Sequence, residues 1–247
     1  MPGAIVVEGP RAAGAFTMRS GPVDGALGGT NLSATVGDDP GDVRAARRWA
    51  GGLVGVSGDD LTFGYQSHGC GVATVVDTSA AVGVAPSPLE ATDALVTGRS
   101  GLGIGVLVAD CVPTLLVGDS TVGVVHSGWR GLVRGVVAAA VEALLGVRPQ
   151  RSGSLTAFVG PAAGVCCYEV SDTVAQEFAS RWPATVVEVL GEARPHVDLR
   201  LAVALALADA GVEESYPIGS CTVCDTRMWS HRRGEAGRQA LVAAVAP

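Results

Sequence analysis

The sequence predicts an α/β fold of mixed α+β layers, with mixed sheets flanked by helices in one large domain over residues 1–247. Apolar runs of strand length alternate with stretches of helical pattern along the chain. A repeat of about 20–50 residues, the signature of solenoids and propellers, is not visible. A chain of 247 residues with 48% hydrophobic composition can bury a large core. Together these observations favour layered α/β architecture.

The first third of the chain is predicted to hold few regular elements. A short strand begins it, and residues 19–42, rich in glycine, proline and aspartate, indicate a long loop. The pattern then predicts a helix near residues 43–51 and strands at 53–56 and 73–76. The residues at 85–88, with two prolines, are typical of a linker.

The remaining elements follow from apolar runs and from helix-boundary signals. Strands are predicted at residues 103–108, 113–117, 121–125 and 155–160. Helices are predicted at 132–145, which Gly146 and Pro149 close, and at 172–182 and 199–210. The last of these has Asp198 as its N-cap and Gly211 directly after its C-terminus.

Charge and composition exclude some classes of partner. A net charge of −7 opposes binding to phosphate backbones and to anionic membrane surfaces, so neither nucleic acid nor a membrane is an expected partner. No run approaches the roughly 18 apolar residues of a membrane-spanning helix, and no export signal begins the chain. A cytoplasmic location is therefore expected, and the six cysteines are expected to be thiols.

Three residues in the middle of the chain are candidate metal ligands: His68, Cys111 and His126. Two imidazoles and one thiolate leave a fourth tetrahedral position open, as expected of a catalytic zinc site. Gly69 and Gly128 beside the histidines would let the backbone turn each ring towards a cleft. The wide, irregular spacing is a weak signal by itself, because a turn histidine and a cysteine after an apolar run are often structural.

Asp110 precedes the candidate cysteine ligand and ends an apolar run. A carboxylate in that position needs a partner, and a hydrogen bond to a ligating histidine would supply one.

Arg130 is the strongest candidate for binding an anion. It lies at the predicted start of the helix at 132–145, where backbone N–H groups favour an anion and a guanidinium can bind two phosphate oxygens. A salt bridge to Asp110 or Glu142 is the structural alternative. Arg19 is a second candidate, with a solvated surface charge as its alternative. Trp129 could stack on a purine or serve packing alone.

The remaining cysteines are given structural interpretations. Cys166 and Cys167 are interpreted as buried residues of a turn, whereas Tyr168 and Glu169 beside them are candidate acid–base groups. Cys221 and Cys224 form a lone Cys-x-x-Cys, interpreted as a turn with one buried thiol because no second pair completes it. Since no His-x-Glu precedes that pair, the cytidine-deaminase fold is excluded.

Several segments together closely resemble the YfiH/FAMIN family, also called laccase-domain, multicopper polyphenol oxidase-like or peptidoglycan editing factor. They are residues 66–69, 94–97, 109–111, 126–131, 160–161 with 166–169, and 221–222 with 230–233, in family order between residues 16 and 243.

The resemblance implies a YfiH-like fold and a zinc-dependent enzyme of purine nucleosides. The implied reactions are phosphorolysis of adenosine, inosine, guanosine and methylthioadenosine, and deamination of adenosine. One zinc ion would be held by His68, Cys111 and His126. The candidate substrate-binding residues are then Arg19, Asn31, Gln66, Arg130, Tyr168 and Glu169. The chain departs from the family at Thr30, where the family has serine, and at His231, where it has tyrosine.

Other functions stay open at this stage. A multicopper oxidase needs more imidazoles than four histidines supply, so zinc is favoured over copper. A cysteine hydrolase or deamidase would use Cys111 as nucleophile and His126 as base. An enzyme editing a peptidoglycan precursor is a further alternative, and a non-enzymatic binding module is the least favoured. The sequence predicts neither the oligomeric state nor the preferred nucleoside.

Overall fold

A computed structural model describes residues 3–9, 11–77, 91–189 and 194–246, so the linker predicted at 85–88 lies outside the described residues. Its strands are β1 (Ala4–Glu8), β2 (Ala12–Thr17), β3 (Leu61–Phe63), β4 (Gly71–Thr74), β5 (Thr92–Thr97), β6 (Gly103–Val108), β7 (Val112–Gly118), β8 (Thr121–Ser127), β9 (Thr156–Val159), β10 (Val187–Val189), β11 (Pro195–Val197), β12 (Glu214–Pro217) and β13 (Gln239–Val245). Its helices are α1 (Pro40–Leu53), α2 (Trp129–Val133), α3 (Val136–Val147), α4 (Asp172–Ala179) and α5 (Leu199–Asp209).

Two mixed sheets form the centre of the fold. One has the strand order β1-β2-β13-β6-β3, and the other has the order β12-β9-β7-β8-β5-β4. In the six-stranded sheet the inner pairs are antiparallel, whereas β12 pairs with β9 and β4 with β5 in parallel. Strands β10 and β11 form a small separate pair. Of the predicted metal ligands, His68 lies between β3 and β4, Cys111 lies between β6 and β7, and His126 lies near the end of β8.

The sheets pack face to face, and helices cover their outer faces. Leu95 and Leu115 of one sheet share a buried cluster with Ile104 and Leu241 of the other. Helices α3 and α5 pack on the outer face of the six-stranded sheet, and α1 packs on that of the five-stranded sheet. The predicted fold class, mixed sheets flanked by helices, is confirmed.

Strand β13 is buried on both faces, which explains why its sequence is almost entirely apolar. Leu241, Ala243 and Val245 point into the cluster between the sheets, while Val242 and Ala244 point towards α1. Alternate side chains of a strand lie on opposite faces, so a strand buried on both faces needs a continuous apolar run.

The strand predicted at 53–56 is wrong, because Leu53 ends helix α1 and residues 54–56 form a turn after it. The Asp39 side chain accepts hydrogen bonds from Gly41 N and Asp42 N, and Pro40 begins the helix. The helix continues to Leu53, and the chain turns at Gly55, whose φ is +75°. Gly51 and Gly52 lie within α1 and do not end it. Buried Ala46 and Ala50 hold the inner face of the helix on the sheet.

The helix predicted at 132–145 is divided in two. Gly135 has φ of +87°, a left-handed conformation that ends α2 and precedes α3. Helix α5 agrees with its prediction, since Asp198 Oδ1 accepts a hydrogen bond from Leu201 N at 2.9 Å and Gly211 has φ of +81°. Strand β6 coincides with the predicted strand at 103–108.

The described residues contain no helix that is both long and apolar enough to span a membrane. The cytoplasmic location stays a prediction.

Candidate metal centre

The three predicted ligands are brought together by three separate segments. His68 lies in the turn before β4, Cys111 lies between β6 and β7, and His126 is near the end of β8. Their ligand atoms all lie within 4.8 Å of one another. The two imidazole rings meet edge to face, with 4.8 Å between centroids. His126 is buried, Cys111 is half-buried and His68 is exposed, so the group opens to solvent on the His68 side.

Asp93 at the start of β5 organises this group, and the sequence analysis did not identify it. Its Oδ1 lies 2.8 Å from Nδ1 of His126, and its side chain is fully buried. The strand register that pairs Ala94 with Val125 places Asp93 opposite His126 on the neighbouring strand. With Nδ1 held by a carboxylate, Nε2 is the nitrogen of His126 free to bind a metal.

The same carboxylate shapes the turn that carries His68. The N–H groups of His68 and Gly69 donate hydrogen bonds to Asp93 at 2.9 and 2.7 Å, and Ser67 donates through both its backbone and its hydroxyl. His68 adopts φ of +58°, a left-handed conformation uncommon outside glycine. Four donors on one buried carboxylate can hold that conformation in place.

Gln66 anchors the start of the turn to the neighbouring sheet. Its Nε2 donates to the carbonyl oxygen of Leu107 and its Oε1 accepts from Leu107 N, both at 2.7 Å. The two bonds join the His68 turn to β6, the strand that leads to Cys111. Gln66 therefore positions the ligands, and its amide is occupied by the backbone.

Gly128 is required by close packing. A Cβ atom on Gly128 would lie 2.7 Å from Cδ2 of His68 and 3.1 Å from Sγ of Cys111. The φ of Gly128 is −76°, so the residue does not use the conformational freedom that the sequence analysis invoked. The left-handed residue is His68 itself, and Gly128 serves to let the ligands approach one another.

Electrostatic coupling within the group shifts three pKa values. Burial disfavours the thiolate of Cys111, but the imidazoles of His126 and His68 lower its pKa to about 6. Burial also opposes the charge on His126, but Cys111 and Asp93 raise its pKa to about 9. Asp93 is buried as well, yet hydrogen bonds from His126 and Gly69 lower its pKa to about 2. At neutral pH these values describe a Cys111 thiolate beside a protonated His126.

Asp110 does not contact a ligating histidine, and that prediction is wrong. Its carboxylate accepts hydrogen bonds from Thr222 Oγ1 at 2.6 Å, Ser230 Oγ at 3.0 Å and Arg232 N at 2.7 Å. The φ of Asp110 is +86°, so the chain turns sharply just before Cys111. Asp110 thus ties the cysteine turn to segments about 110 and 120 positions further along the chain.

Tyr168 and Glu169 lie in different environments. Tyr168 is buried, and the guanidinium of Arg232 lies 4.6 Å from its ring centroid. Burial and the neighbouring Cys111 raise the pKa of Tyr168 to about 12, so its phenol is protonated at neutral pH. The Glu169 side chain is exposed and faces Arg194 at 3.6 Å. Tyr168 is therefore the stronger candidate for a role at the metal centre.

Arg130 is the second residue of α2, and its side chain is exposed. Its guanidinium lies 4.5 Å from the ring centroid of Trp129. Among the residues that the structure describes, it forms no ion pair with Asp110 or Glu142. Its hydrogen-bond donors are therefore available to an anion.

Arg19 and Asn31 have partners within the scaffold. Arg19 donates to Glu235 at 2.9 Å and lies over the ring of Trp229. It also lines a surface pocket of about 270 Å³ to which none of the three candidate metal ligands contributes. Asn31 is buried, and its amide bonds to Ser33 and Asp38 in its own loop and to the N–H of Arg238 just before β13. Its amide is thus occupied by the fold.

The interpretation of the other cysteines needs correction. Cys166 and Cys224 are exposed, while Cys167 and Cys221 are half-buried, so none of them is a buried core thiol. The Cys-x-x-Cys is also not alone, because Cys166 and Cys167 complete a group of four with it. Cys166 and Cys167 are adjacent in the sequence, so they do not form the second Cys-x-x-Cys that would have indicated a four-cysteine group.

The chain thus combines a mixed α/β/β/α fold with a His, Cys, His triad that is a candidate metal site. The family model described as "Multi-copper polyphenol oxidoreductase laccase" matches residues 13–246 of this chain. The chain belongs to that family, known also as the YfiH family.

Similar proteins include two whose names state an activity. "Purine nucleoside phosphorylase ORF3" of Streptomyces griseus is 40% identical over 224 residues, covering 89% of this chain and 88% of that protein. "Adenosine deaminase RL5" of an unknown prokaryotic organism is 38% identical over 236 residues, with the same coverage. The crystal structure of YlmD from Geobacillus stearothermophilus superposes with a TM-score of 0.90 at 25% identity, over 99% of this chain and 97% of that one.

Proposed function

We propose that this protein is a zinc-dependent enzyme of purine nucleosides, which catalyses phosphorolysis of adenosine, inosine, guanosine and methylthioadenosine and deamination of adenosine. The convergence of His68, Cys111 and His126 within 4.8 Å carries the proposal. The names of the relatives in Streptomyces griseus and in the unknown prokaryote support the substrate class.

The donor set fits one zinc ion with an open position. Imidazole nitrogen and thiolate sulfur are ligands that zinc prefers, and three protein ligands leave a fourth position for water or substrate. Asp93 fixes the His126 ring by its Nδ1, as carboxylates commonly do for metal-binding histidines. A bound zinc ion would supply Lewis-acid chemistry, polarising a substrate oxygen or lowering the pKa of water.

The chain's own groups can serve the rest of the reaction. The Tyr168 phenol, protonated at neutral pH, can donate a hydrogen bond or a proton near Cys111. The exposed guanidinium of Arg130 can bind the attacking phosphate through two N–H groups. Asp93 holds Nδ1 of His126, so Nε2 is the nitrogen that would bind the metal in place of its proton.

One experiment tests both reactions. Adenosine is incubated with the protein, with and without inorganic phosphate, and the products are separated by chromatography. We expect adenine and ribose-1-phosphate only when phosphate is present, and inosine in either case. The His126→Ala variant should lose turnover and should hold one zinc ion fewer per chain than the wild type. Wild-type zinc content and full turnover in that variant would contradict the site assignment.

A cysteine hydrolase or deamidase is the second candidate, and one observation favours it. Cys111 could also act as a nucleophile, His126 as its base and Asp93 as the carboxylate that orients the base. The two histidines lower the pKa of Cys111, which favours its thiolate form. This function requires no metal. Protein treated with a chelator should then keep full activity, and alkylation of Cys111 should abolish it without rescue by zinc.

A further inference from the structure

A second group of potential metal ligands lies outside the triad. Cys166 and Cys167 are in the loop after β9, and Cys221 and Cys224 are in the loop after β12. Their four sulfur atoms all lie within 4.8 Å of one another. We call these four residues the cysteine cluster.

The sulfur–sulfur distances distinguish a metal site from a disulfide. A disulfide bond requires about 2.05 Å between sulfur atoms. In a tetrahedral site with Zn–S bonds of about 2.3 Å, two sulfurs are about 3.8 Å apart. Sγ of Cys224 lies 3.5 Å from Sγ of Cys167 and 3.9 Å from Sγ of Cys166, and all six cysteines of the chain are free. These distances match the edge of a zinc–thiolate tetrahedron.

Backbone N–H groups surround one of the four sulfurs. Gly164 N donates a hydrogen bond to Sγ of Cys221 at 3.2 Å. The N–H groups of Cys224 and Val223 also donate to this sulfur. A Cβ atom on Gly164 would lie 3.2 Å from Cβ of Cys221 and 3.3 Å from Sγ of Cys166, so the loop is packed against the cluster.

Arg233 holds the backbone between two cysteines of the cluster. Its guanidinium donates hydrogen bonds to the carbonyl oxygens of Thr222 and Val223, the two residues between Cys221 and Cys224. The same guanidinium pairs with Glu235 at 2.8 Å, so it fixes the loop and does not supply a free positive charge.

We propose that Cys166, Cys167, Cys221 and Cys224 bind a second, structural zinc ion, separate from the ion held by the triad. Four protein sulfurs would fill all four tetrahedral positions, leaving none for substrate. Binding requires no oxidation: the cysteines bind as thiolates, and the protons of those that are still thiols pass to solvent.

The site would join two loops that form one wall of the metal centre. Tyr168 directly follows Cys167, and Thr222 directly follows Cys221. Thr222 donates the 2.6 Å hydrogen bond to Asp110, the neighbour of Cys111. Its N–H also bonds to the carbonyl oxygen of Ala162 at 3.0 Å, next to the same loop. The second zinc would therefore fix Tyr168 and Asp110 relative to the triad.

The test is zinc content per chain, measured by mass spectrometry on full-length protein purified under reducing conditions without chelator. We expect two zinc ions in the wild type and one in the Cys166→Ser/Cys224→Ser variant. Cys70→Ser, which removes an exposed thiol outside the cluster, should keep two. One zinc in the wild type that the double serine variant retains would overturn the proposal, as would iron in place of zinc.

A second variant keeps the test decisive if the serine variant does not fold. His68→Ala/His126→Ala leaves the cluster intact, and X-ray absorption should then show one zinc with four sulfur neighbours. Nitrogen or oxygen in that shell, or no zinc, would overturn the proposal. A separate preparation of the wild type, purified under argon without reductant, should titrate six thiols after denaturation and zinc removal. Fewer would indicate a disulfide within the cluster and would contradict the zinc site.

Discussion

Asp93 and His126 form a buried pair, with 2.8 Å between Oδ1 and Nδ1, on adjacent strands of the six-stranded sheet. The same carboxylate accepts hydrogen bonds from the turn that carries His68. One side chain therefore orients two of the three candidate ligands.

Asp93→Asn tests this relationship. The amide keeps the shape of the carboxylate but places an NH₂ group against the N–H donors or against His126, so at least one hydrogen bond is lost. We expect zinc affinity to fall by about 10–100-fold, the usual cost of losing the partner of a ligating histidine. Competition with a chelator measures this. Asp209→Asn, at an exposed position near the end of α5, is the control and should leave affinity unchanged.

Gly128→Ala tests the close packing of the ligands. The added methyl group would lie 2.7 Å from the His68 ring and 3.1 Å from the Cys111 sulfur, so at least one ligand must move. We expect lower zinc content and lower turnover in the folded protein.

Gly146→Ala is the matched control for that variant. Nothing lies within 4 Å of a Cβ at this exposed helical position. Turnover should be unchanged, and the free energy of unfolding should rise by about 0.5–1 kcal/mol because alanine favours the helix. If both variants kept full zinc and full activity, the packing argument at Gly128 would be wrong.

Tyr168→Phe tests the role of the Tyr168 hydroxyl group separately from that of its aromatic ring. Phenylalanine keeps the packing against Arg232 but removes the only group of Tyr168 that can donate a proton. We expect turnover to fall by about 100-fold, in the range for general acid–base groups, while zinc content stays at the wild-type level. Tyr216→Phe, at a half-exposed ring stacked on Phe158, should leave turnover unchanged. Full activity in Tyr168→Phe would remove the phenol from the mechanism.

Arg130→Ala distinguishes the two proposed reactions. A charge-assisted hydrogen bond contributes about 1.5–3 kcal/mol, so its loss should raise KM for phosphate by about tenfold or more. Deamination of adenosine uses no phosphate and should be unaffected. Arg134→Ala, which removes an exposed arginine at the other end of α2, is the control. Equal losses in both reactions would argue against a phosphate site at Arg130.

The sequence predicted an element correctly where neighbouring residues alone determine its conformation. The apolar run of β6 and the Asp198 and Gly211 boundaries of α5 are properties of neighbouring residues, so they could be predicted. Where local signals conflicted, packing decided. The helix predicted near residues 43–51 continues as α1 through Gly51 and Gly52 to Leu53, and Gly135, inside an apolar run, breaks the helix that the run predicts.

The sequence by itself determined the alternation of strands and helices and, through the family resemblance, the residues of the triad. Only the tertiary structure decided what supports them. Asp93 is 33 positions from His126, and the only local signal was a charged residue inside an apolar strand. The two halves of the cysteine cluster are 57 and 58 positions apart. Periodicity reports which face of an element is buried, whereas contacts between strands and loops depend on sheet order and register.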